Sequence, residues 1–255
     1  MLKHLMTLLL LAALLAGCAS LDEEADGTKG WSADKLYEEA RRNLQDANYE
    51  RAIDLYEKLE ARYPFGRHAQ HALLESAYAY YKQDEPDTAL ATLDRFLKTY
   101  PRHPNLDYAL YLKGLVNFNR GNSFIERLVR LDPSERDPGA ARDAFFDFQE
   151  LVRRFPDSRY APDAAKRMHY LRNNLARYEV HVADYYMRRQ AYVAAANRAQ
   201  YVIEKFEKTP AIPDALEILI RAYRKLELDD LAQDALRVYE LNYPERAKKL
   251  AQGRP

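Results

Sequence analysis

The chain of 255 residues has 39 basic and 39 acidic side chains, so its formal net charge is zero. This balance argues against a general nucleic-acid-binding protein, whose affinity depends on an excess of basic groups. The hydrophobic fraction of 47% and the charged fraction of 31% are typical of a globular protein. The single cysteine excludes an intrachain disulfide framework and a zinc site built from cysteines.

The N-terminal residues have the organisation of a secretory signal. Lys3 and His4 precede an almost entirely apolar run over 5–15, which is too short to span about 30 Å of hydrocarbon. The run ends in Leu15-Ala16-Gly17-Cys18, which resembles a bacterial lipobox. We predict a lipoprotein signal peptide at 1–17. The alternative is an ordinary membrane anchor with an incidental thiol.

The lipobox resemblance implies a covalently modified Cys18, with diacylglycerol on its thiol and an acyl chain such as palmitate on its amine. No other cofactor is expected. Several acyl chains are sufficient for stable anchoring of a soluble body. Ala19 follows the cysteine, which resembles lipoproteins of the outer membrane. We predict that residues 18–32 form the lipidated cysteine and a flexible tether.

From Ser32 onward the sequence predicts helices, and an internal repeat divides them. Five aromatic residues each have an alanine eleven positions earlier: Tyr63 with Ala52, Tyr100 with Ala89, Phe155 with Ala144, Phe206 with Ala195 and Tyr243 with Ala232. Proline follows four of these aromatics, and Glu207 replaces it in the fourth repeat. Small residues also recur earlier in the repeats, at Ala40, Ala77, Gly114 and Ala183, whereas the fifth repeat has Ile220.

This pattern is typical of tetratricopeptide repeats, in which small residues let two helices approach closely and proline ends the second helix. We predict an all-α, right-handed superhelical solenoid of five helix pairs, about ten helices. The alternative is an irregular helical bundle. Repeats 1–3 occupy 33–157 with an insertion at 121–139, repeats 4–5 occupy 158–249, and 250–255 form a tail. The first helix of repeat 4 is predicted from about Pro162 to Arg189.

No catalytic or metal-binding constellation stands out. His68 and His71 are three residues apart, but no carboxylate lies at a supporting position of a known ligand pattern. Adjacent carboxylates such as Glu38-Glu39 point to different faces of a helix and cannot form an acid/base pair. A helical repeat protein without such a site is typical of a binding scaffold. We predict that the protein is not an enzyme; the alternative is a hydrolase that uses His68.

Several local sequences together resemble the BamD (ComL) family of lipoproteins in the β-barrel assembly (BAM) machinery of Gram-negative outer membranes. They are Arg62-Tyr63-Pro64-Phe65-Gly66, Ala79-Tyr80-Tyr81-Lys82, His103-Pro104-Asn105-Leu106-Asp107-Tyr108, Arg136-Asp137-Pro138, Ala183-Asp184-Tyr185-Tyr186 and Tyr192-Val193-Ala194-Ala195. The resemblance covers essentially the whole chain. It implies a non-catalytic scaffold, lipid-anchored on the periplasmic face of the outer membrane. Glu207, where the family tends to have proline, leaves the end of that helix open.

The resemblance also implies partners and sites. The N-terminal repeats would receive C-terminal targeting strands of unfolded outer-membrane proteins, and we assign this role to Tyr63, Tyr80, Tyr81 and Lys98. The C-terminal repeats would dock a periplasmic domain of the barrel subunit BamA and other BAM lipoproteins, and we assign Arg188, Arg189 and Arg198 to BamA. Structural alternatives exist: Tyr63 is a packed turn aromatic, Tyr80 and Tyr81 are core residues, and the lysine and arginines are solvated surface charges. The alternative function is another periplasmic repeat lipoprotein, such as a secretin pilotin or an adaptor for cell-wall enzymes.

Overall fold

The computed structural model describes residues 27–120, 134 and 137–251, and within them it contains eleven α-helices and no β-strand. The predicted signal peptide, Cys18 and most of the insertion at 121–139 lie outside the described residues. The helices are α1 (Ala33–Gln45), α2 (Tyr49–Arg62), α3 (Arg67–Lys82), α4 (Pro86–Thr99), α5 (Leu106–Asn119), α6 (Gly139–Arg154), α7 (Ala161–Arg188), α8 (Tyr192–Lys205), α9 (Ile212–Lys225), α10 (Asp229–Asn242) and α11 (Pro244–Ala251).

The prediction of an all-α fold built from helix pairs is confirmed. The long helix of the fourth pair, α7, lies within one residue of its predicted bounds. The described residues contain one helix more than the ten predicted, because α11 begins at Pro244 directly after α10. Proline ends a preceding helix, but its fixed φ and missing N–H also suit the first position of a new one.

One type of turn connects the two helices within a pair. In four pairs the turn has three residues, and the N–H of its last residue donates a hydrogen bond to the carbonyl oxygen five residues earlier, at 2.8–3.0 Å. This is the Schellman arrangement, which ends a helix with a residue in the left-handed region. The left-handed residues are Ala47, Asp84, Gln190 and Glu227, with φ between 59° and 62°. None is glycine, so no residue type in the sequence marks these turns.

A second type of turn connects successive pairs, and the repeated aromatic residues define it. At Tyr63, Tyr100, Phe155, Phe206 and Tyr243 the backbone N–H closes the last helical turn, and the carbonyl oxygen accepts the N–H three residues later. Phe206 adopts nearly the same backbone conformation as the other four, with φ of −121° and ψ of 40°, although Glu207 follows it in place of proline. Helix α8 therefore ends like the others, at Lys205.

The repeated small residues lie where the helices pack. Ala52, Ala89, Ala144 and Ala195 are fully buried. Gly114 shows why size matters there, because a Cβ atom on it would lie 2.5 Å from Cε1 of Phe148. A methyl group cannot fit at that distance, so the close contact between α5 and α6 requires glycine.

The chain divides into two compact units, Met1–Ala69 and Gln70–Pro255. In the first unit, α1 packs on α2 and buries Leu36, Leu55 and Leu59. In the second unit each helix from α5 to α10 packs on the next, around buried clusters that include Phe96, Phe148 and Tyr239. No helix among the described residues combines the length and apolar character needed to cross a bilayer.

Candidate binding surfaces

Tyr63, the first residue assigned to the targeting strand, ends α2. Its hydroxyl donates to the carbonyl oxygen of Trp31 at 2.9 Å, and the residue is 37% exposed. Close by, Arg62 donates to both the carbonyl and the hydroxyl oxygen of Thr28. Tyr63 thus ties the segment before α1 to the end of α2 and keeps part of its ring on the surface.

Tyr80 and Tyr81 lie on α3 and are both partly buried, packed against the cluster that α3, α4 and α5 form. The hydroxyl of Tyr81 accepts a hydrogen bond from Nδ2 of Asn119 at 2.7 Å. These tyrosines therefore stabilise the packing of α3, and each presents a remaining part of its ring to solvent.

Lys98 lies in the last turn of α4, with an exposed side chain. Among the described residues no hydrogen bond or ion pair joins its ammonium group to another side chain. A positive charge at this position interacts favourably with the negative end of the α4 helix dipole. The ammonium group also remains available to a carboxylate from outside the chain.

Arg198, assigned to the barrel subunit, lies on α8 and forms an ion pair with Glu179 of α7, with Nη1 and Oε2 at 3.0 Å. Glu179 is only 4% exposed, whereas the Arg198 side chain is 47% exposed. A buried carboxylate requires a charged or hydrogen-bonded partner. Arg198 consequently stabilises Glu179 and presents much of its own surface to solvent.

Arg188 and Arg189 lie at the end of α7 and are both exposed. The guanidinium of Arg188 pairs with Asp184 one turn earlier, and Arg221 of α9 lies 3.9 Å from the same carboxylate. We call Arg188, Arg189 and Arg198 together the basic patch, although Arg198 meets α7 at Glu179, about 13 Å along the helix from Arg188.

His68 and His71, the two histidines weighed as metal ligands, contact different partners. Nε2 of His68 lies 2.6 Å from a carboxylate oxygen of Asp34, and this hydrogen bond holds the pKa of Asp34 below its usual value. The ring of His71 packs edge-on against His103, with centroids 5.4 Å apart. Within the described ranges no group of three or more histidine, cysteine or acidic side chains is placed to hold a metal.

The sequence did not indicate an open groove of about 520 Å³ where α5 and α7 begin. We call it the α5–α7 groove; Pro104, Asn105, Asp107, Tyr108, Arg159 and Tyr160 line it. Its walls come from segments about fifty residues apart in the chain, so no local pattern could reveal it. Burial raises the pKa of the Tyr108 hydroxyl above its usual value of 10.

Sequence comparisons with known proteins all identify relatives at the outer membrane. The YfiO family, described as an outer membrane lipoprotein, matches residues 30–238. The outer membrane protein assembly factor BamD of Neisseria meningitidis serogroup B is 50% identical over 245 residues, covering 95% of this chain and 92% of the relative. The BamD proteins of Xylella fastidiosa Temecula1 and Vibrio cholerae El Tor are each 38% identical, covering 95% and 92% of this chain and 83% and 96% of their own lengths.

These relatives are named for assembly and not for catalysis. The prediction of a non-catalytic protein is thereby confirmed.

Proposed function

Because this chain belongs to the BamD family of outer membrane protein assembly factors, we propose that it receives targeting strands of unfolded outer-membrane proteins and docks the barrel subunit that inserts them. The observation that supports this best is the repetition of helix pairs from α1 to α10, four of which have the same internal turn. Repeated helix pairs offer long side-chain-lined surfaces to other polypeptides. No relative reported above is a secretin pilotin or an adaptor of cell-wall enzymes.

The basic patch is the proposed docking surface for the periplasmic domain of BamA. Carboxylates of the same chain hold Arg188 and Arg198 in place. Cations that are already oriented lose little freedom on binding and can select an acidic partner surface. Arg189 adds an exposed charge that no side chain among the described residues neutralises.

The proposed docking is tested by charge reversal in the full-length protein. Arg189→Glu should weaken binding of the purified BamA periplasmic domain by roughly tenfold at low salt, with a smaller loss at high salt. Arg198→Glu should weaken it at least as much, and it also sets a second carboxylate against Glu179. Arg153→Glu, at an exposed residue in the last turn of α6, serves as the control. If Arg189→Glu and Arg198→Glu both bind like the wild type, or if the control Arg153→Glu weakens binding as much as they do, the basic patch is not the docking surface.

Tyr63, Tyr80, Tyr81 and Lys98 remain the proposed contacts for the strand. Their support is the partial exposure of the tyrosines and the ammonium group of Lys98, which no side chain in the described part of the chain neutralises. A photo-crosslinking residue at position 63 or 98 should capture a synthetic targeting-strand peptide, and one at exposed position 233 of α10 should not. Equal capture at all three positions would indicate nonspecific binding and remove these residues from the site.

Cys18 is the proposed lipid attachment site on the periplasmic face of the outer membrane. Cys18→Ala should release the protein from membranes of cells that lack the other BAM subunits, while circular dichroism of the purified variant stays that of a folded helical protein. If the variant remains membrane-bound in high salt without partners, the acyl chains are not its anchor.

A further inference from the structure

We propose that the α5–α7 groove binds the terminal carboxylate and the last aromatic side chain of an extended polypeptide. This rests on the proposed function, in which the protein receives the C-terminal strands of other chains. It adds a site that none of the strand residues proposed above occupies.

The cation of the groove is Arg159. Its Nη2 donates to the Tyr160 hydroxyl oxygen at 2.5 Å, and its guanidinium lies 4.7 Å from the centroid of the same ring. Both contacts orient the guanidinium while its side chain stays exposed. A guanidinium has five N–H donors in a planar fork that matches a carboxylate. One donor is used by Tyr160, so the remaining donors can bind a carboxylate that enters the groove.

Tyrosine rings form the apolar wall beside this cation. Tyr160 stacks on Tyr111, with centroids 4.8 Å apart, and Tyr108 lies 5.6 Å from Tyr160. Tyr111 is fixed in turn, because its hydroxyl donates to Asp163 at 2.7 Å. Aromatic rings favour further aromatic rings in stacked or edge-on contact. The groove thus offers an aromatic surface next to an oriented cation, which suits a chain that ends in an aromatic residue.

Asp107 is the opposing charge in the groove. Its two oxygens already accept hydrogen bonds, from the Ser158 hydroxyl at 2.6 Å and from the Tyr108 N–H at 2.7 Å. These bonds hold the carboxylate in place, but its charge still repels an incoming anion. The proposal therefore predicts opposite effects for the two charged side chains: loss of Arg159 weakens carboxylate binding, and loss of the Asp107 charge strengthens it.

The test uses full-length protein in detergent and a fluorescent strand-forming peptide that ends in phenylalanine, either with a free carboxylate or as an amide. Amidation should weaken binding to the wild type about tenfold, the range of one charge-assisted hydrogen-bonded pair. Arg159→Gln should weaken the free-acid peptide similarly and leave the amide unchanged. Asp107→Asn should tighten the free-acid peptide several-fold. Arg153→Gln, an exposed arginine outside the groove, is the matched control.

The outcomes separate this inference from the proposed function. If the amide binds the wild type as tightly as the free acid, or if Arg159→Gln weakens both peptides alike, the groove does not hold the terminal carboxylate, although strand binding stands. An amidated peptide with an internal aspartate that binds like the free acid would assign the groove to side-chain carboxylates and overturn the proposal. If no peptide binds in any form, the strand-receiving function itself is wrong.

Discussion

The third helix pair, α5 and α6, and the fourth, α7 and α8, share one plan but fill their contact differently. In the third pair Gly114 faces the ring of Phe148, and the ring is fully buried. In the fourth pair the corresponding positions are Ala183 and Ala199, also fully buried. The repeat therefore constrains the combined volume at the contact, and a very small residue in one helix permits a very large one in the other.

The two pairs also neutralise a buried carboxylate differently. In the third pair Asp147 accepts from Nδ2 of Asn117 at 2.8 Å and lies 3.4 Å from Nζ of Lys113, both on α5. In the fourth pair Glu179 has the half-exposed Arg198 as its partner. In the third pair the partners of the buried carboxylate are therefore mainly inside the fold. In the fourth pair the partner is an arginine that other proteins can contact.

Phe148→Ala tests the volume argument most strongly. Removing a fully buried phenylalanine opposite glycine leaves a cavity that neither residue fills, and we expect a loss of about 3–5 kcal/mol in the free energy of unfolding. Urea denaturation measures it. The corresponding truncation in the fourth pair, Ala199→Gly, should cost only about 1 kcal/mol. Equal losses at the two positions would contradict the contrast between the pairs.

Gly114→Ala should have the next largest effect. At an open helical position this change stabilises by about 0.5–1 kcal/mol. Here the new Cβ would lie 2.5 Å from Phe148, and overpacking of this kind costs about 1–3 kcal/mol. Adding Phe148→Leu should recover part of the loss, because the smaller side chain makes room for the methyl group. If urea denaturation shows that Gly114→Ala alone raises the free energy of unfolding, α5 and α6 can move apart without loss of stability.

The sequence predicted those features of the fold that a spacing can encode. The aromatic at the end of each pair, the alanine eleven residues earlier and the length of α7 all follow from local patterns. The pairing of Gly114 with Phe148 does not, because the residues are 34 positions apart and lie on separate helices. The left-handed turns also left no signal, since alanine, aspartate, glutamine and glutamate stand where glycine is usual.

The candidate surfaces were predictable to a smaller extent. Arg189 is recognisable because basic residues outnumber acidic ones in its part of the sequence. The family resemblance selected Arg198. Arg198 pairs with the buried Glu179, which lies on a different helix. The sequence alone could not predict this pairing. Arg159 and Tyr160 appeared in no prediction, because the α5–α7 groove exists only when two distant turns meet.

The buried acid of the third pair has a smaller effect, which depends on pH. Burial raises the pKa of Asp147 above its usual value of 3.8. As pH rises past that value the unfolded chain loses the proton first, so the native state loses stability until pH exceeds the native pKa. The unfolding free energy of the wild type minus that of Asp147→Asn should therefore fall as pH increases from about 3. A difference that grows with pH would show that Lys113 and Asn117 outweigh burial.

The turn between α7 and α8 is the last difference between the two pairs, because the third pair has an insertion in its place. We expect the smallest effect on stability here. Gln190 has a φ of 60°, a conformation that costs a non-glycine residue about 1 kcal/mol. Glycine removes this strain but gains freedom in the unfolded chain, so Gln190→Gly should raise the unfolding free energy by a few tenths of a kcal/mol. Gln190→Ala, which keeps the strain, should not stabilise. Equal stability of the glycine and alanine variants in urea would mean that the Schellman hydrogen bonds, and not backbone strain, determine the stability of this turn.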